Sequence, residues 1–66
     1  MTLKKFLQTI KGNDFKVYNQ NEDLIFSSFI NEYHGESLVP YVKHEVDLVE
    51  LRIDESFTPY VKIYII

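Results

Sequence analysis

Apolar residues near the start of the chain recur with helical spacing. Leu3, Phe6, Leu7 and Ile10 stand at i, i+3, i+4 and i+7, one stripe of a helix. Thr2 is placed to cap that helix, because its hydroxyl can accept from an early backbone N–H. Gly12 is placed to end it, since glycine enters the left-handed region without a Cβ penalty. Past Asn13 the period changes to two. Phe15, Val17 and Asn19 alternate with Lys16 and Tyr18, "NQNED" at 19–23 reads as a polar turn, and "LIFSSFI" resumes the apolar run. That pattern predicts a β-hairpin.

The second half is read less directly. "NEYHGES", residues 31–37, is a loop, and Ser37 resembles an N-cap for "LVPYVKH", with Pro40 in the first turn where its missing N–H costs little. Leu38, Tyr41 and Val42 form a short apolar stripe, which predicts a helix near 38–44. Val49, Leu51 and Ile53 then alternate with Glu50 and Arg52 in a segment rich in β-branched residues, which predicts a strand near 47–54. One helix running to residue 53 is the alternative, because Leu38, Val42, Val46, Val49 and Ile53 also keep helical spacing. "DESFTP" is a turn, and the last strand is expected after Pro59, with Val61, Ile63 and Ile65 on one face and Tyr60, Lys62, Tyr64 and Ile66 on the other.

The expected fold is α+β, in the order αββαββ. Two hairpins join into a four-stranded antiparallel sheet with both helices on one face. The expected core is Leu3, Phe6, Leu7, Ile10, Phe15, Val17, Phe26, Ile30, Leu38, Val42, Val49, Leu51, Ile53, Val61, Ile63 and Ile65. The opposite face would then carry Lys16, Tyr18, Ile25, Phe29, Glu50, Arg52, Lys62, Tyr64 and Ile66. Three readings of that outer face stay open. It is a solvated face in which tyrosines cover lysine stems. It is a protein–protein surface, such as a homodimer packed sheet to sheet. Or it stacks bases on its tyrosines.

Composition narrows the setting. The 66 residues allow a single domain, 1–66, of marginal core size. With no Cys, neither a disulfide nor a thiolate metal site can reinforce it. At 45% hydrophobic and 15% aromatic, the chain is too apolar for disorder. It has no stretch approaching a membrane span and no secretory signal pattern, so a cytoplasmic protein with no membrane partner is expected. Net charge is −3, with Lys4, Lys5, Lys11 and Lys16 gathered at the start and most acids in the middle. A mildly acidic chain makes a general nucleic-acid binder an unlikely expectation.

No catalytic chemistry is legible. His34 and His44 lack metal-ligand spacing. Ser27, Ser28, Ser37 and Ser56 lack a nucleophile-elbow context. The acid pairs Glu22-Asp23 and Asp54-Glu55 fall in turns, and solvated turn carboxylates rarely serve as general acids. The expectation is no enzyme, no catalytic residue, no cofactor, no metal and no small-molecule substrate.

"TLKKFLQTI", "FKVYNQNEDLIF" and the closing "VKIYII" resemble segments of very short proteins from phages and mobile elements of AT-rich Gram-positive bacteria. Those segments are structural, so the resemblance implies a fold and a genomic setting, and no site residue. Many short genes of such elements encode accessory or host-interaction proteins. The expected function is therefore a non-enzymatic accessory protein that binds another protein, or a second copy of itself. The expected surface is Tyr18, Ile25, Phe29, Arg52, Lys62, Tyr64 and Ile66. The alternative is a nucleic-acid-associated regulator using the basic first helix or the sheet tyrosines.

Overall fold

The computed structural model describes residues 1–29 and 37–66. It begins with helix α1, Leu3–Thr9. Thr2 caps it as expected, its side chain accepting from the Lys5 N–H at 3.3 Å. The helix closes at Ile10, and Gly12 sits two residues further on at φ 92°, in the turn that leads to the sheet. Leu3 is fully buried, and Phe6, Leu7 and Ile10 pack against the core, so the predicted stripe is the inward face.

Strands β1 (Phe15–Tyr18) and β2 (Leu24–Ser27) form the expected hairpin. Asn19 builds its turn, the side-chain oxygen accepting from the N–H groups of Asn21 and Asp23. Strand β3 (Val46–Ile53) and strand β4 (Pro59–Ile65) form the second hairpin, so the single-helix alternative for 38–53 is excluded. Strand β4 starts on Pro59 itself rather than after it, at a first position where a missing donor is tolerated.

Two features of the expected architecture are corrected. The sheet is mixed. Its order is β2-β1-β4-β3, and the hairpins join through β1 and β4, which run parallel. Strand β4 carries the most deeply buried alternation, with Val61, Ile63 and Ile65, and therefore takes a central place between β1 and β3. The second correction concerns the second helix. Val39–Tyr41 make only a short 3₁₀ turn containing Pro40, so among the described residues one α-helix covers the sheet, not two. Ser37 still contributes, its hydroxyl accepting from the Val39 N–H at 3.2 Å. Ile30, His34 and nearly all of the expected loop 31–37 lie outside the described residues.

The loss of one helix changes what is buried. The core is Leu3, Val17, Ile25, Val61, Ile63 and Ile65, with Phe6, Leu7, Ile10, Phe15, Phe26, Leu38, Tyr41 and Val46 packed around it. Val49, Leu51 and Ile53 were expected in that core. They do lie on its side of the sheet, in register with Ile63, Val61 and Pro59. Yet they are exposed, Leu51 at 84% and Ile53 at 69%. A seven-residue helix is only about 10 Å long and leaves the β3 side of the face open.

Candidate protein-binding surface

The outer face of the sheet has the composition expected of it, with two exceptions. Parallel pairing of β1 with β4 sets Lys16 beside Lys62 and Tyr18 beside Tyr64. On the other flank of β4, Glu50 faces Lys62 and Arg52 faces Tyr60. The Lys62 ammonium lies over the rings of Tyr18 and Tyr64, at 4.8 and 5.3 Å from their centroids. The Lys16 ammonium lies over Tyr60 and Phe29, at 4.7 and 5.4 Å. Phe29 meets Tyr60 edge-on, and Tyr18 tilts against Tyr64. A hydrogen bond from Lys62 to Tyr64, with the attraction of the same phenol, raises the Lys62 pKa above its ordinary value of 10.5. The rings thus hold the ammonium groups, and the lysine stems cover the rings.

Ile25 is the first exception. It was expected outward, but it is 4% exposed in the core. The cause is a register shift in the first hairpin. Val17 faces Phe26 while Tyr18 faces Leu24, so Ile25 is an extra residue that breaks the alternation of β2. Ile66 is the second. It lies just past β4, where its N–H donates to the Glu45 carbonyl and its own carbonyl accepts from His44 Nδ1 at 2.9 Å. There it borders a small hollow with Ile25, Tyr41 and His44, away from the tyrosine rows. Tyr18, Phe29, Arg52, Lys62 and Tyr64 do come together on one face.

A different surface carries the most exposed apolar residues of the sheet. Val49, Leu51 and Ile53 form an exposed stripe along β3, on the helix-bearing side. At the end of that strand the tight turn to β4 is held by Asp54, whose Oδ1 accepts from the Ser56 and Thr58 N–H groups at 2.9 and 2.8 Å. Phe57 crowns this turn, 87% exposed and at φ 60°. A bulky residue in the left-handed region stores backbone strain of order 1–2 kcal/mol. The β3 backbone is also open. Asp54 donates to Thr58 across the hairpin, and Val61, the partner of Leu51, donates away from it to Asp14. Leu48, Glu50 and Arg52 therefore bond to β4, while the N–H and C=O groups of Val49, Leu51 and Ile53 point out from the sheet edge. Met1 accepts from Val46, and Thr2 bridges Glu45, so the N-terminal segment lines only the beginning of this edge.

The stripe was missed because its alternation was legible but its cover was not. Pro40 gave no signal that the second helix would fail, because it sits in the first turn of the 3₁₀ segment, where proline is tolerated. Among the described residues, no cluster of three or more His, Cys, Asp or Glu is placed to hold a metal ion. No helix among them is long and apolar enough to cross a membrane. Comparison with protein-family models, with curated proteins and with solved structures finds no match to this chain.

Proposed function

We propose that this protein is a non-enzymatic binding module of the cytoplasm that docks another polypeptide along β3, by strand addition at its edge. The carrying observation is that Leu51 and Ile53 are exposed beside a backbone edge unpaired among the described residues, while Val61, the β4 partner of Leu51 on the same face, is buried. Eight-residue edge strands usually carry a device that blocks pairing, such as proline or an inward charge. Strand β3 has neither between Leu48 and Ile53, and its register shift, between Val46 and Leu48, comes before that stretch; its charges, Glu50 and Arg52, project from the opposite face and pair with each other at 3.0 Å. Phe57 supports the same reading, since its ring is exposed on a strained backbone and is not packed into the core of the described residues. Peptide recognition at a sheet edge draws affinity from main-chain bonds and specificity from alternate side chains, and this stripe offers both.

The outer face, with Tyr18, Phe29, Arg52, Lys62 and Tyr64, serves this reading less well, because its rings are already engaged by Lys16 and Lys62. The test is site-specific photo-cross-linking in cells, with the photoreactive residue at Leu51 or at Tyr64. Protein adducts at position 51, absent at 64, are expected. Adducts at 64 alone, adducts to nucleic acid, or none at 51, would overturn the proposal.

A further inference from the structure

We infer that the occupant of the β3 edge is a second copy of this chain, paired antiparallel about Leu51. The inference rests on the edge-docking reading above and names its partner. A two-fold axis normal to the sheet would extend four strands into eight and keep both helices on one side. The outward backbone groups restrict such pairing to odd residues facing odd residues. Side chains then choose among the remaining registers.

Centred on Leu51, the pairing sets Leu51 against Leu51 of the second copy. It also sets Val49 against Ile53 of the second copy, and Ile53 against its Val49. The whole exposed stripe is matched with itself, while at the ends of the strand Leu48 meets Asp54 of the second copy and Asp47 meets its Glu55. On the opposite face, Glu50 meets Arg52 of the second copy, and Arg52 meets its Glu50. These are non-hydrogen-bonded positions, where Cα atoms approach to about 4.5 Å and side chains are closest. Neighbouring registers break the match within the stripe itself, at Glu50, Leu51 or Arg52, rather than at its ends. Centring on Glu50 opposes Glu50 to itself. Centring on Arg52 opposes Arg52 to itself and Glu50 to Asp54. Centring on Val49 or Ile53 sets Leu51 against Asp47 or Glu55. The charges that now bridge within one strand, Arg52 to Glu50 at 3.0 Å, are thus placed to bridge between two.

The test is sedimentation of the purified chain, with two charge reversals. The wild type is expected to dimerise at tens of micromolar. Glu50→Arg and Arg52→Glu should each weaken dimerisation about tenfold or more, because each sets like charges opposite one another twice per dimer. Mixed together, the two variants should pair with each other to within about threefold of wild type, since both opposed pairs of residues 50 and 52 are then complementary. Arg52 is exposed and Glu50 is only half-buried on the sheet surface, so circular dichroism should show both variants folded.

A chain monomeric at hundreds of micromolar would overturn the inference. So would single reversals that dimerise as wild type does, or a mixture that stays monomeric. If the chain is monomeric while position 51 cross-links a different protein, self-pairing falls and edge docking stands. If position 51 cross-links nothing, both fall.

Discussion

Ile63 and Ile53 lie on the same side of the same hairpin, yet one should matter to stability far more than the other. Ile63 is in a central strand, between Val17 on β1 and Val49 on β3, and has no exposed surface. Ile53 lies on the edge, 69% exposed. Replacing isoleucine by valine deletes one methylene. In a close-packed site this costs about 0.5–1.5 kcal/mol, because the lost transfer energy is joined by a small cavity. At an exposed site the change should stay within about 0.5 kcal/mol. A 66-residue domain has roughly 3–10 kcal/mol in all, so the conservative change is preferable to alanine, which would cost about 2–5 kcal/mol at Ile63. The assay is urea denaturation followed by far-UV circular dichroism, at a concentration low enough to keep the chain monomeric. In thermal melts, each kcal/mol should lower Tm by roughly 4–8 °C. Equal losses for Ile63→Val and Ile53→Val would refute the assignment of β4 to the centre and β3 to the open edge.

Other substitutions probe the turns and the outer face. Ser28→Ala should cost about 1–3 kcal/mol and speed amide exchange at Phe15, since the Ser28 hydroxyl accepts from that N–H at 2.8 Å while donating to Asp14 at 3.1 Å. Gly12→Ala should cost about 1–2 kcal/mol in denaturation experiments although nothing crowds the new methyl, because φ there is 92°. Phe57→Gly should run the other way, neutral to about 1 kcal/mol more stable by the same assay, while weakening whatever docks on β3. Lys62 has a raised pKa when folded, so its contribution is complete below 10.5 and fades as pH climbs through the folded value. Lys62→Met should therefore shift the alkaline unfolding limb in a pH-dependent denaturation series and leave the acid limb in place.

Local pattern carried much of this protein's architecture. The stripe Leu3, Phe6, Leu7 and Ile10, the turn at Asn19 and the alternation of Val61, Ile63 and Ile65 each express a period that neighbouring residues alone impose. Which hairpin edges would meet was not written in those periods. Strand order depends on which surfaces bury most when the pieces collapse, and the most apolar strand took a central place beside β1. The fate of Ile25 turned on one extra residue in β2, a defect that exists only relative to a paired strand. The openness of Leu51 and Ile53 turned on a helix that did not form. Alternation says which side of a sheet a residue faces; whether anything covers that side is a property of the whole chain, since burial requires a second surface supplied from elsewhere in the sequence.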